Sequence, residues 1–474
     1  MAQMIPLEDY VARVLEAIVP LASTRVALGE AHGRILAEDV SAAVPVPPWT
    51  NSAMDGYAVR AAETSGASAQ APVVLPVAGD VPAGAAPTPL APGSAQRIMT
   101  GAMLPEGADA VVKVEDTDQA PGPHPLPERV EIHAAAREGL NVRRAGENVR
   151  AGDPVMAAGT RLSAAAVSAL ASVGLGSVPV AARARVTVVS TGAELRDAGE
   201  SLAPGTIPDS NGLLLAGLVS EHGADCVSVA RSGDSAEELA AVLRRAAAGA
   251  DLIVTSGGVS AGAFDPLTML AHADQREGAP VHLDFVKVAM QPGKPQGHGW
   301  VRADDGRRVP IICLPGNPVS VLVSFTTIVA PALARLADVD SSLPDLPGRP
   351  TLTARAAAAW LTPPGRRQHV PVRFTEPPTE LVAGSVAGSV AGADAGDRIG
   401  APSGPDAAPD TGASWVTPTH RLGSGSHLVA SLPAAQALAV VAAEVESVEV
   451  GDELPLIPLT GSCPSGRPVR VDAP

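Results

Sequence analysis

VTVVSTGAEL (186–195) is the stretch from which the fold can be read. VTVVST is a nearly continuous apolar run, the pattern of a strand covered on both faces, as strands of parallel sheets are. Parallel strands need helical crossovers, and the chain supplies them in alternation. After Asn211 comes the helical GLLLAGLVSEHG, then strand CVSVA, helix AEELAAVLRRAAAG, strand DLIVTS and helix FDPLTMLAHA. Strands VHLDFVKVA and VPIICLP follow, and the helix VSVLVSFTTIVAPALARL closes the unit. This order predicts a doubly wound parallel α/β domain over 184–340.

Upstream, residues 6–35 read as a helix, because Leu7, Val11, Val14, Leu15 and Ile18 recur at helical spacing. VPVPPW (44–49) ends that regularity, since each proline lacks an amide and pushes its predecessor towards extended geometry. Over 46–148, short apolar runs such as PVVLPV and ADAVVKVE alternate with Gly/Pro turns, which predicts a small β-rich domain. Residues 149–183 return to helical character and are expected to pack with 1–45 as one discontinuous helical domain. Downstream, LPDLPGRP (343–350) is a linker. Residues 350–474 carry the strand-like HVPVRF, AVVAAEVESVEV and ELPLIPL and are expected to form a C-terminal β-barrel, with a sandwich as the alternative. Residues 376–417, containing VAGSVAGSVAG, hold too little apolar surface to offset ordering entropy and read as a disordered insertion.

At 474 residues the chain exceeds one core and suggests about three domains. Its 34 basic and 50 acidic residues leave a net charge of −16, which disfavours nucleic-acid binding. Cys226, Cys313 and Cys463 show no CxxC spacing, and no HExxH pair is present, so disulfides and zinc are not expected. The N-terminus carries Glu8 and Asp9 without a basic leader, and no apolar run reads as long enough to cross a bilayer. A cytoplasmic protein without a membrane partner is the expectation.

In open α/β sheets ligands bind beyond the carboxyl ends of the strands. Three strands here end in STGAEL, SGGVSAG (256–262) and CLPGNPVS, so three Gly- or Pro-punctuated loops share one rim. Ser256, Gly257, Gly258 and Ser260 suit an anion, because glycine lets backbone amides approach closely and hydroxyls add donors. A lone Gly-Gly turn is more often just a turn, and only the three loops together favour phosphate. In LPGNPVS, Asn317 is placed to cap a helix whose first turn accommodates Pro318, and a capped helix start also attracts phosphate. Glu194, Asp209, Asp234 and Asp265 each stand where a carboxylate is commonly a helix cap. Clustered beside phosphate loops they would repel the ligand unless Mg²⁺ lies between, with Asp234 and Asp265 as the candidate metal ligands. Lys287 and Lys294, in FVKVAMQPGKP, supply countercharge. In the β-rich domain, NSAMDGYA around Asp55, RIMTGAMLPEGADAVV around Thr100 and NVRRAGENVRAGD read by themselves as polar turns.

These segments, in this order, resemble the molybdopterin molybdenumtransferases, the family that includes the C-terminal half of gephyrin. The resemblance is close over 1–340 and looser beyond. It implies binding of adenylylated molybdopterin, use of Mg²⁺ and molybdate, and release of AMP. It further implies a homodimer with shared active sites, and contact with the adenylyltransferase of the preceding step. Position by position, Ser256, Gly257, Gly258 and Ser260 match the nucleotide-phosphate loop, and Glu194, Asp234 and Asp265 match functional acids. Lys287, Lys294, Pro315, Asn317 and Ser320 match residues around the pterin, and Asp55 and Thr100 match residues reaching the site from the partner subunit. The chain departs from the family at Asn148, often Asp; at Gln291, often Lys; at His369 and Pro371, often aromatic and Arg; and at Ala193, often polar. The rival readings are an ATP-dependent molybdopterin adenylyltransferase and a scaffolding or low-activity paralogue. Both explain the α/β domain; retention of Glu194, Asp234 and Asp265 argues against the scaffold.

Overall fold

The computed structural model describes residues 4–259, 265–273, 279–338, 348–378, 414–420, 425 and 427–459. It divides into two compact units, 1–23 together with 181–474, and 24–180.

The larger unit is organised by helix α1 (Leu7–Glu16), strand β1 (Arg185–Thr191), α2 (Asn211–Glu221), β2 (Asp225–Ser232), α3 (Ala236–Gly249), β3 (Leu252–Ser256) and α4 (Pro266–Ala273). Strands β4 (Val281–Lys287), β5 (Pro295–Arg302) and β6 (Arg308–Leu314) and the long helix α5 (Pro318–Leu336) complete it. The sheet order is β2-β1-β3-β6-β5-β4. The first four strands are parallel, as their apolar runs predict, and β1 and β3 are buried along nearly their whole length. The last two are an antiparallel addition, β5 against both β4 and β6. Strand β5, PQGHGWVR, escapes the sequence reading because glycine, proline and polar residues dominate it. The glycines are required: a Cβ on Gly297 would strike Phe285, and one on Gly299 would overlap the His282 carbonyl.

Helices α3 and α4 cover one face, with Leu239, Leu243 and Leu267 packed on Val189, Ile253 and Ile311. Helices α1, α2 and α5 cover the other. Leu7, Tyr10 and Val14 of α1 recur at helical spacing and are buried there, the two aliphatic side chains worth roughly 1.5–3 kcal/mol each. The helix expected over 6–35 is thus only Leu7–Glu16, and it packs on the α/β core rather than with 149–183. Pro20 explains the stop, since it lacks the amide a helix needs and disfavours helical geometry at Val19. Helix α5 corrects a second expectation, because its 19 residues are long and apolar enough, by length and composition, to cross a bilayer. Buried over 89 % of that length, it is a core helix. Its middle, Phe325–Val329, opens into a π-turn just ahead of Pro331, whose ring could not fit behind an ordinary α-helical carbonyl.

Strands β7 (Leu352–Ala356), β8 (Arg367–Thr375), β9 (Trp415–Pro418), β10 (Ala437–Val441) and β11 (Glu453–Pro458) follow. They pair as β8-β9-β7-β11-β10, and β10 pairs again with β8, so a five-stranded ring closes. Of the barrel and the sandwich, the barrel is the one formed. Its interior is filled by small side chains, among them Ala354, Val370, Val416, Ala439 and Leu456. Strand β9 takes up the end of the segment read as a disordered insertion; residues 379–413 lie outside the described residues.

In the second unit a five-stranded sheet runs in the order Ala110–Lys113, Gly56–Val59, Ala95–Ile98, Val73–Val81, Arg129–Ile132. Residues 24–45 and 149–180 share a separate core, with Leu36 and Val40 against Leu162, Leu170 and Val180. Ala164–Ser172 is the one α-helix of this unit; Ser163 caps it by accepting from the Ala166 amide.

Candidate functional site

The carboxyl rim of the parallel strands is assembled by glycine contacts and two amide side chains, one half-buried and one buried. Strand β3 ends at Ser256, and Gly257 and Gly258 follow with φ of +91° and +72°. A Cβ on Gly257 would lie 2.7 Å from the Thr191 carbonyl oxygen, and one on Gly258 2.9 Å from Thr191 Oγ1. Only glycine therefore lets the loop after β3 close against the end of β1. The Gly257 amide donates to the Leu314 carbonyl at 3.0 Å, joining this loop to the end of β6. Gly257 thus serves by its missing side chain, not as an anion donor.

Asn211, at the start of α2, locks the third loop in place. Its Nδ2 donates to Ser256 Oγ at 2.8 Å and to the Gly316 carbonyl at 2.6 Å. The sequence reading treated Asn211 only as a helix start; its neighbour Asp209 does the capping, accepting from the Gly212 amide at 3.0 Å. Asn317 takes the N-cap position of α5 with extended dihedrals, but its side chain makes no capping hydrogen bond. Pro315 and Ser320 are buried, Ser320 at 3 % exposure. Ser260 lies outside the described residues.

The expected carboxylates separate into different roles. Asp265 is buried, 7 % exposed, and its Oδ1 lies 3.2 Å from where a Cβ on Gly258 would sit. It stands directly before α4, whose first residue is Pro266. Asp234 is exposed and accepts from the Ala193 amide at 3.0 Å, so it ties the loop after β2 to the loop after β1. Its position is fixed by the cap of α3, where Ser235 accepts from the Glu238 amide and Glu238 accepts from the Gly233 amide. The Glu194 carboxylate folds back over Gly192. Among the described residues, no three His, Cys, Asp or Glu side chains converge as a metal cage.

Lys287 ends β4, which runs in the same sense as β6, so it shares the rim. Lys294 lies in the turn before β5, held by Gln296, whose Nε2 donates to the Gly293 carbonyl at 2.6 Å and to Ser324 Oγ at 2.7 Å. Carboxylates thus line one half of the rim and lysines the other. From Asp234 at β2 to Lys287 at β4 is five strand spacings, about 24 Å, so no compact ligand touches both. Beside Lys294, Gln291 accepts from Arg366 at 2.7 Å, bringing a guanidinium from the barrel to the position where the family often has lysine. His369 and Pro371 pair in register with Val440 and Leu438, which pack against the α/β core. Burial there holds the His369 imidazole neutral, with its pKa pushed down to about 3. Cys313, at the end of β6, is no nucleophile, because burial pushes its thiol up to about 12.

In the second unit, Asp55 and Thr100 meet directly. Asp55 Oδ1 accepts from the Thr100 amide at 2.6 Å and from Thr100 Oγ1 at 2.8 Å. Gly56 makes this possible, since any side chain there would overlap the Val112 carbonyl. The pair lines a cleft of about 450 Å³ with Tyr57, Arg97, Glu115 and His124. Arg97 is held by Asp80 and by the His124 carbonyl.

Residues 5–174 match the family model described as the MoeA N-terminal region (domain I and II), and residues 187–335 match the one described as "Probable molybdopterin binding domain". Molybdopterin molybdenumtransferase 2 of Mycobacterium tuberculosis is 45 % identical over 362 residues, 76 % of this chain and 85 % of that protein. The chain belongs to the molybdopterin molybdenumtransferase family. The family's Nostoc member is 39 % identical over 65 % of this chain and 68 % of its own length. A crystal structure of the molybdopterin biosynthesis MoeA protein from Pyrococcus horikoshii aligns with a TM-score of 0.72 at 29 % identity, covering 96 % of this chain and 99 % of that one. The multidomain α/β-plus-β architecture expected from the sequence is the architecture of this transferase family.

Proposed function

We propose that this chain inserts molybdate into adenylylated molybdopterin with release of AMP, in a reaction assisted by Mg²⁺. The observation that supports this reading is the junction of Thr191, Ser256–Gly258 and Pro315–Asn317 at one rim, with Asp265 buried beside it, in a chain of the molybdenumtransferase family. The phosphoanhydride of the substrate would lie along these loops, oriented by Ser256, the Gly258 backbone and the start of α5. A molybdate or water oxygen attacks the phosphorus, the bond to the bridging oxygen breaks and AMP leaves; the two dithiolene thiols displace one molybdate oxygen, which departs as water with their two protons, leaving molybdenum bound to both sulfurs. The lysine half of the rim, Lys287 and Lys294, would hold the incoming molybdate at the pterin end of the substrate. The residues fit a cation that arrives with its phosphate: Asp265, with Asp234 nearby on the rim, offers hard oxygen donors, and phosphate oxygens with water would complete the shell. Bound there, Mg²⁺ would neutralise phosphate charge as the anhydride breaks.

The resemblance also supports a cytoplasmic homodimer in which Asp55 and Thr100 serve the partner's loops, the substrate coming from a preceding adenylyltransferase. Incubation with adenylylated molybdopterin, Mg²⁺ and molybdate, with AMP followed in time, tests the reading. AMP release that requires molybdate is expected. Pyrophosphate release from ATP and unmodified molybdopterin, with no molybdate-dependent AMP, would assign the preceding adenylylation step instead.

A further inference from the structure

At the end of the sheet opposite the rim, the β4–β5–β6 addition carries a cluster of cations around Trp300. The guanidinium carbon of Arg308 lies 4.5 Å from the Trp300 ring centre, and that of Arg302 lies 5.3 Å away. His282, directly opposite on β4, stacks on the same indole at 5.9 Å with 22° between the rings. Arg302 and Arg308 are themselves a directly opposed cross-strand pair. Two like charges in that position repel. Among the described residues neither arginine makes an ion pair, while Asp284 pairs with His282 and Asp305 with Arg307. This pair of guanidinium groups stands on a chain of net charge −16.

We infer that Arg302, Arg308 and Trp300 form a second anion site, for a tetrahedral oxyanion either free or as the phosphoryl group of a larger molecule. Arg302 and Arg308 stand directly opposite each other on β5 and β6, and both lean on one indole, so the two side chains can reach the same oxyanion. Each fork presents paired N–H donors that match phosphate-type oxygens. Stacking on the indole holds the two forks in place beforehand, so less side-chain freedom is lost on binding. An anion there also cancels the repulsion between the arginines. A nucleobase is not the recognised feature, because His282 and the arginines already occupy the ring of Trp300. The site lies away from the carboxyl rim and does not depend on the reaction proposed above.

The test follows the indole N–H resonance of Trp300 in the ¹⁵N-labelled full chain, assigned with Trp300→Phe. Potassium phosphate is titrated against potassium chloride at equal ionic strength, and AMP is titrated in a parallel arm. A saturable phosphate-specific shift is expected, weakened at least tenfold in Arg302→Gln/Arg308→Gln. Because losing both stacking arginines can loosen the hairpin, Arg308→Lys is measured too; it keeps the charge, loses the fork, and should weaken binding at least threefold. AMP binding equal to phosphate identifies a free oxyanion as ligand, and tighter AMP binding identifies a phosphoryl group carried on a nucleotide. A shift identical in chloride, or unchanged in the folded arginine variants, overturns the inference.

Discussion

Asn211→Ala is the sharpest probe of how the rim is built. Wild-type Asn211 Nδ2 makes two hydrogen bonds, to Ser256 Oγ and to the Gly316 carbonyl, and so ties the loop after β3 to the loop after β6. Each such bond is worth a net ~0.5–1.5 kcal/mol, so alanine removes about 1–3 kcal/mol of loop organisation. If substrate binding must restore that order, KM for the adenylylated pterin should rise roughly 5- to 150-fold, at about 1.4 kcal/mol per decade. The turnover rate should change less, because no reacting atom is touched. Asn211→Asp should be at least as harmful, since a carboxylate oxygen would replace the donor 2.6 Å from the Gly316 oxygen. Steady-state AMP release gives both constants, and hydrogen exchange should show faster opening of 256–258 and 315–317. A folded Asn211→Ala enzyme with KM within twofold of wild type and unchanged exchange would refute the clamp.

Asp265→Asn should abolish AMP release with the fold retained by circular dichroism; wild-type turnover would remove Asp265 from the machinery. Mixing separately inactive Asp55→Ala and Asp265→Asn chains should return about a quarter of wild-type activity, since random pairing makes half the dimers mixed and each mixed dimer has one intact site. No recovery despite demonstrated subunit exchange would place the whole site within one chain. Deleting 380–412 while keeping β9 should leave the melting temperature and activity nearly unchanged, and a drop of many degrees would show that the segment supports the barrel. His369 is neutral when folded, with a pKa near 3 against an ordinary value of 6.5, so the unfolded chain takes up its proton first as pH falls. Its contribution to stability should be complete above about pH 6.5 and decline from there towards pH 3, and urea midpoints of His369→Leu should show a shallower decline than wild type over that window.

The sequence by itself determined the parts whose residues carry their own signal. Continuous apolar runs mark β1 and β3 because both faces of a parallel strand are buried, and Gly- and Pro-punctuated loops mark the rim because side chains cannot fit there. The ordered motifs were enough to point to the family. Tertiary structure decided what depends on distant partners. Strand β5 exists because β4 and β6 flank it, although its glycines argue against a strand in isolation. Helix α1 stops before Pro20 and packs on the α/β core because Leu7, Tyr10 and Val14 find their partners there. Asp234 and Asp265 look alike in sequence, yet one ties two loops at the surface and the other is buried beside Gly258. The clamping roles of Asn211 and Gln296 carried no signal, because an amide side chain is recognised as a clamp only by the carbonyls and hydroxyls that folding brings within hydrogen-bonding distance.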